Sequence, residues 1–379
     1  MSKCKCVPLS ENVEEMFIGP FGSSLKNECF VNENEAFCMV YEQKHAIQKT
    51  MNVETRYVNE KKYNELKRFN VQAGDIIVSC RGTIGETYII PEGAPLGIMH
   101  PSIMKIRLKK DVYDKYFFNL LLKSRLKKHE KEANGSGVKM AISATELGKE
   151  LFPVPTMAEQ QKITKIISQV RCVIDKRKQE LEYLDKLVKA RFVEMFGNPV
   201  ANEKGWNVDL CKNLTTKIGS GATPKGGKES YLNNGISLIR SLNVHNNKFV
   251  YDDLACISEE QAEKLNNVII QQGDVLLNIT GASVARCCIV PNSVLPARVN
   301  QHVSIIRCNE KLLPVFVSCM FTDDNFQQFL LNVATGGGAT REAITKEEIE
   351  KFVLITPPID RQKKFVDFVE QIDKSKFYK

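Results

Sequence analysis

The chain carries nearly the same message twice. Ala73-Gly-Asp-Ile-Ile-Val-Ser-Cys-Arg-Gly82 returns as Gln272-Gly-Asp-Val-Leu-Leu-Asn-Ile-Thr-Gly281, and Met99 to Arg107 returns as Val299 to Arg307. Ser143-Ala-Thr-Glu146 is matched by Thr345-Lys-Glu-Glu348. Pro155-x-x-x-Glu159-Gln160-Gln161-Lys162 is matched by Pro357-x-x-x-Arg361-Gln362-Lys363-Lys364. Four matches in one order, about 200 residues apart with little drift, mean a duplicated folding unit rather than chance. A length of 379 residues also suggests two domains at roughly 150 each.

Within each copy, Gly-Asp opens an apolar, β-branched run that ends at a glycine, the pattern of a buried strand. Strands are expected near 74–79, 87–90 and 102–107 before a helix over about 112–132. In the second copy they fall near 236–240, 274–279, 286–290 and 302–307, with helices near 258–267 and 314–332. Ser143/Glu146 and Thr345/Glu348 have the spacing of capping boxes, in which hydroxyl and carboxylate satisfy free helix N–H groups. Gly19-Pro-Phe-Gly-Ser-Ser24, Gly135-Ser-Gly137, Gly219-Ser-Gly-Ala-Thr-Pro224 and Gly336-Gly-Gly338 mark loops. The fold class is therefore mixed α/β (α+β), with two similar globular units.

Between the copies the pattern changes. Met157 to Phe196 contains no Gly and no Pro, and its apolar residues recur at spacings of four and three. The seam is Ile163, Ile167, Val170, Ile174, Arg177, Leu181, Leu184, Val188, Arg191 and Met195, a coiled-coil pattern. Forty helical residues make a rod of roughly 60 Å, and Gly197-Asn198-Pro199 stops it. Phe365, Val369 and Ile372 repeat the positions of Ile163, Ile167 and Val170. The division is 1–156, a central helix 157–196, 197–356, and a shorter distal helix 357–379. Antiparallel pairing of the two helices would hold the globular units apart, and the distal helix is long enough to cover part of the central one. A truncated end, a second copy or a partner would account for the rest.

Composition excludes several classes. Lys and Arg total 53 against 45 acids, a net +8, which is compatible with an acidic partner such as nucleic acid without requiring one. The longest apolar run, Leu312 to Phe321, is too short to span a bilayer and contains Pro314. No apolar block follows the Met-Ser-Lys-Cys-Lys-Cys start, so a secretory signal is not expected and a cytoplasmic location is. The twelve cysteines form no Cys-x-x-Cys pair, so no metal site is expected, and reduced buried thiols are.

Catalytic signatures are missing as well. Gly227-Lys228 fails as a phosphate-binding loop, because Ala222 and Glu229 stand where Gly and Ser/Thr are needed. Glu60-Lys61-Lys62 lacks the upstream acid of a metal-dependent nuclease and reads as a solvated face. Phe196-Gly-Asn-Pro199 and Thr356-Pro-Pro358 each depart from an amino-methyltransferase turn. Histidines 45, 100, 129, 245 and 302 have no nucleophile or carboxylate at catalytic spacing. The chain reads as a recogniser, not an enzyme.

The Gly74-Asp-Ile-Ile-Val-Ser-Cys-Arg-Gly-Thr-Ile-Gly85 stretch, Asn300-Gln-His-Val303, and the junction from Pro155-Thr-Met-Ala-Glu-Gln-Gln-Lys-Ile163 to Ala190-Arg-Phe-Val-Glu-Met-Phe-Gly-Asn-Pro199 carry a resemblance. Across its whole length the chain resembles the specificity (S) subunit of type I restriction–modification systems. The resemblance implies two target-recognition domains, each reading one half of a bipartite, asymmetric double-stranded DNA target. It implies spacer helices that dock two methyltransferase subunits, with motor-nuclease restriction subunits joining them. Catalysis then belongs to partners. This chain binds no cofactor, and S-adenosylmethionine, ATP and Mg2+ belong to the partner subunits. No membrane is involved.

Arg and the side-chain amides are the usual base readers, and Lys more often holds phosphate. In the second domain Arg240, Ser241 and Asn243 follow a strand and resemble the family's DNA-facing stretch, with Thr223 and Lys225 in the loop before it. In the first domain Ser23, Ser24 and Lys26 lie in the corresponding loop and Arg81 ends the Gly-Asp strand. The helix interface is Ile163, Ile167, Val170, Ile174, Leu181, Leu184, Val188, Met195, Phe365, Val369 and Ile372. The competing reading is a coiled-coil interaction scaffold with two ligand-binding heads, which would show no salt-dependent DNA affinity.

Overall fold

The computed structural model describes residues 5–133, 143–224, 226–336 and 343–377. Lys225 and the glycine stretches 135–137 and 337–338 lie outside the described residues. The chain divides into two compact units, 1–175 and 176–379.

Unit 1 contains β1 (Val13–Ile18), β2 (Cys38–Tyr41), β3 (Ile76–Ser79), β4 (Thr87–Ile89), β5 (Gly97–Met99), β6 (Ile103–Leu108) and α1 (Lys115–Ala133), with short strands and single turns between. An antiparallel sheet has the order β1-β6-β3-β4. A second sheet pairs β2 with β5 in parallel, flanked by the short strands Tyr57–Val58 and Asn70–Val71. Ile76, Val78, Met104 and Ile106 pack with Phe118, Leu122 and Phe152 in one core, while Ile77 and Ile103 point into another. Strand alternation explains the split, since neighbouring residues face opposite sides of the sheet.

The Gly-Asp motif has a structural purpose in both units. Gly74 and Gly273 take φ of +86° and +84°, a turn that a Cβ would strain. The aspartate that follows is buried and takes Arg in a two-pronged pair. Arg107 Nε and Nη2 each donate to Asp75 at 2.7 Å, and Arg307 donates to Asp274 at 2.7 and 2.8 Å. A backbone N–H, from Gln72 or Gln271, completes each carboxylate. The motif therefore ties β3 to β6, and its counterpart does the same in unit 2.

A single helix, α2 (Met157–Phe196), runs across the division. Its first turn is capped by Thr156 and Glu159, whose carboxylate accepts from the Thr156 N–H at 2.9 Å. Unit 2 then contains β7 (Thr215–Ser220), β8 (Ile236–Ile239), β9 (Val275–Asn278), β10 (Cys287–Ile289), β11 (Ala297–Val299), β12 (Val303–Cys308), α3 (Pro314–Phe321), α4 (Asp324–Gly336) and α5 (Ile359–Phe377). Its sheets repeat unit 1: β7-β12-β9-β10 antiparallel, and β8 beside β11 in parallel. The single helix expected over 314–332 is two, because Asp323 caps the second by accepting from the Asn325 N–H at 2.9 Å. The helix expected near 258–267 is one turn, Glu259–Glu263, followed by a 3-10 turn. The capping box at Thr345/Glu348 is complete; at Ser143 the hydroxyl accepts from Glu146 N–H.

Inside unit 2, α5 lies antiparallel to the second half of α2. Phe365 meets Phe192 and Phe196 at 5.6 and 5.5 Å between rings. Eleven residues further along, Lys376 Nζ pairs with Asp185 at 2.8 Å, and Arg177 donates to the Lys376 carbonyl. Val188 is buried in this core, with Met195, Val369 and Ile372 partly buried against it. Leu181 and Leu184 are half-buried. The seam needs one correction: the most deeply buried residues of α2 in this unit are Phe192 and Phe196, which the heptad count passes over. A straight helix drifts from a strict seven-residue repeat, so the buried face moves one position on.

The first half of α2 is different. Ile167 is half-buried, but Ile163, Val170 and Ile174 are exposed, as are Ile166 and Val173, with exposures from 38% at Ile163 to 66% at Val173.

Candidate nucleic-acid interface

The sheet registers bring certain loops together. In unit 1, β1 ends at Ile18 opposite Met104, and β3 ends at Ser79 opposite Ile103. Parallel β2 and β5 end together at Tyr41 and Met99. The loops that follow β1, β2 and β3, and the turn 100–102 before β6, thus gather at one end of the sheets. Hydrogen bonds tie them: Gly19 N–H to Ile103 O, His100 N–H to Tyr41 O, and Cys80 N–H to Ser102 O, each 2.9 Å. Gly19 is obligatory here, because a Cβ would stand 2.2 Å from the His100 carbonyl oxygen.

Unit 2 builds the same end. Gly221 N–H donates to Asn300 O, Asn300 N–H to Ile239 O, and Ile279 N–H to His302 O, at 3.0–3.1 Å. Thr223 donates to Gln301 Oε1 at 2.5 Å, and Thr280 Oγ1 and His302 Nδ1 lie 2.5 Å apart. The backbone scaffold is shared, and the side chains on it are not.

The candidate residues fall as follows. Ser23, Lys26 and Arg81 are exposed at this end of unit 1, and Ser24 is half-buried. Thr223, Arg240 and Ser241 are half-buried at the same end of unit 2, while Lys225 lies outside the described residues. Arg240 is held rather than free: its guanidinium donates to the Asp253 carbonyl and sits 5.2 Å from the Tyr231 ring centre. Asn243 requires a correction. It is fully buried, its Oδ1 accepts from the Arg240 N–H, and its Nδ2 donates to the Val250 and Asp252 carbonyls. It shapes the turn that presents Arg240 and leaves no amide for a base.

At the position of Arg240, unit 1 carries Glu42, also next after its strand. Glu42 is buried and pairs with Arg56 and Lys44. Burial pushes its carboxyl up, but the hydrogen bonds from Arg56 and Lys44 outweigh this and hold it below the ordinary value. His45, the counterpart of Asn243, accepts from the Glu42 N–H through Nδ1 at 3.0 Å, and burial lowers its pKa. Glu42 and His45 lie three apart as the two halves of a helix cap, whereas Arg56 is fourteen residues from Glu42 and reaches it only because the strands next to them pair, which no local spacing in the sequence signals.

Among the described residues, no group of three or more His, Cys, Asp or Glu side chains is placed to hold a metal ion. No helix among them is long and apolar enough to cross a membrane.

Comparison with known proteins decides the family. The family described as "Type I restriction modification DNA specificity domain" matches residues 11–184 and again 203–377. The chain belongs to this family. It is a type I DNA specificity subunit, a recognition component rather than an enzyme. It is 22% identical over 339 residues to the protein named as the MjaX specificity subunit of Methanocaldococcus jannaschii, covering 84% of this chain and 76% of that one. It is 22% identical to the EcoBI specificity subunit of Escherichia coli, covering 79% of this chain and 66% of that one. A solved structure concerning assembly and conformational transition of the type I restriction–modification system shares its fold with a TM-score of 0.59 at 15% identity, over 99% of this chain and 91% of that one.

Proposed function

We propose that the specificity subunit uses the loop-bearing sheet end of each unit to read one half of a bipartite, asymmetric DNA target. The observation that carries this reading is the shared scaffold with different side chains at its surface: buried Glu42 against part-exposed Arg240, exposed Arg81 against half-buried Thr280, buried Pro101 against exposed Gln301. Two readers with one backbone and different surfaces suit two different half-sites. Lys26 and Arg81, exposed beside the unit 1 loops, suit the phosphate contacts that position such a reader.

The uncovered apolar stripe on the first half of α2 supports a second part of the proposal. This stripe docks methyltransferase subunits, and motor-nuclease subunits complete the restriction complex. S-adenosylmethionine, ATP and Mg2+ are bound by those partners, and the complex works in the cytoplasm.

Single-molecule sequencing of modified bases, with and without this gene, tests the reading. A two-part adenine-methylation motif that vanishes on deletion is expected. A motif set unchanged by deletion, with no salt-dependent affinity of the chain for duplex DNA, overturns it in favour of a scaffold.

A further inference from the structure

Phe21 is the most exposed large apolar side chain among the described residues, at 86%. Its backbone is nonetheless fixed. Two residues earlier Gly19 is wedged against the His100 carbonyl, and the Phe21 carbonyl itself accepts from the Ser24 N–H at 2.8 Å, closing a 3-10 turn over Gly22–Ser24. A rigid base thus holds an aromatic ring out in water. Its neighbours do not extend it into an apolar patch: Pro20 is buried, Gly22 and Ser23 are small, and Lys26 is exposed. A docking surface for another protein would need a contiguous apolar area. A single exposed ring followed in the chain by two serines and an exposed lysine instead fits a polyanion with a π-stacked interior.

Unit 2 does without this ring. At the matching place it carries Thr223, whose hydroxyl is bonded to Gln301.

We infer that Phe21 is a wedge that enters a base step in the DNA half-site read by unit 1, an inference that rests on the DNA-reading role proposed above. Apolar wedges of this kind unstack a step and kink the duplex, and they favour flexible pyrimidine–purine steps. Unit 1 should therefore read partly through deformability, and unit 2 through hydrogen bonds.

The test uses the full chain and a duplex carrying both half-sites, with 2-aminopurine replacing each adenine in turn in the half assigned to unit 1. Wild type should raise the fluorescence at one position. Phe21→Ala should abolish that rise and weaken specific binding by about tenfold or more, while Phe21→Leu retains much of both. Because the ring is 86% exposed and belongs to none of the buried cores, Tm should not change, which separates loss of contact from loss of fold. Wild-type fluorescence and affinity in Phe21→Ala would overturn the wedge while leaving the DNA reading intact. Equal weakening on an unrelated duplex would make Phe21 a non-specific contact and likewise overturn it. A wild-type chain that prefers no duplex overturns the DNA reading and the wedge together.

Discussion

At the scale of single residues, the chemistry of the Gly-Asp motif was legible only as a strand signal. Its aspartates are not readers of anything; each is a buried carboxylate with an arginine and a backbone N–H around it. Removing the arginine leaves a buried carboxylate without its countercharge, so Arg307→Ala should destabilise unit 2 by about 3–5 kcal/mol, measured by denaturant unfolding. Glu42 offers a pH test. Its carboxyl is held below the ordinary value of about 4.3, so its contribution is complete above that pH and is lost as pH falls through the lowered value. Thermal unfolding between about pH 6 and about pH 3 should show a falling Tm that is shallower in Glu42→Gln. The cysteines behave as the sequence suggests for buried thiols. Burial pushes Cys80, Cys211, Cys288 and Cys319 up to about 12, whereas Cys6 and Cys172 are exposed. A thiol reagent on the native protein should label Cys172 rapidly and these four only after unfolding.

At the scale of elements, the long helix was the most legible part of the chain, because an uninterrupted forty-residue pattern leaves little else to fold. Its bounds needed no partner; its buried face did. Phe192 and Phe196 are set by what α3 and α5 bring to them, with Phe316 lying 4.8 Å from Phe196. Phe192→Ala should cost about 3–5 kcal/mol. Val170→Ser, on the uncovered stretch, should stay within about 0.5 kcal/mol for the chain alone and instead weaken its co-purification with methyltransferase subunits. Strands β1 and β2 were not read from the sequence. Val-Glu-Glu-Met-Phe-Ile mixes charge into its pattern, and the reason is across the sheet: Glu15 pairs at 2.6 Å with Lys105, a lysine with no exposed surface. Only a partner strand makes that acid a strand residue.

At the scale of the whole molecule, the repeat predicted two alike units, and it is their differences that matter for function. The candidate residues sit in loops whose conformations depend on distant backbone groups, so Asn243 has the look of a base reader in the sequence while its amide is bonded inside the turn. Replacing residues 1–156 with those of a relative should change one half of the methylated motif and leave the other untouched. Change in both halves, seen by modified-base sequencing, would count against independent readers.

The junctions carry one more consequence. In unit 1, Gln160 is buried and donates to the Val112 and Pro155 carbonyls while accepting from the Asp114 N–H. In unit 2, Gln362 does the same with Lys311, Pro357 and Leu313. Each unit is thus plugged onto its helix through one identical fitting. A protein built on a common fitting can change either plug without altering the socket, so n variants of the first and m of the second specify n × m addresses. The vocabulary of such a system grows as a product while its parts list grows as a sum.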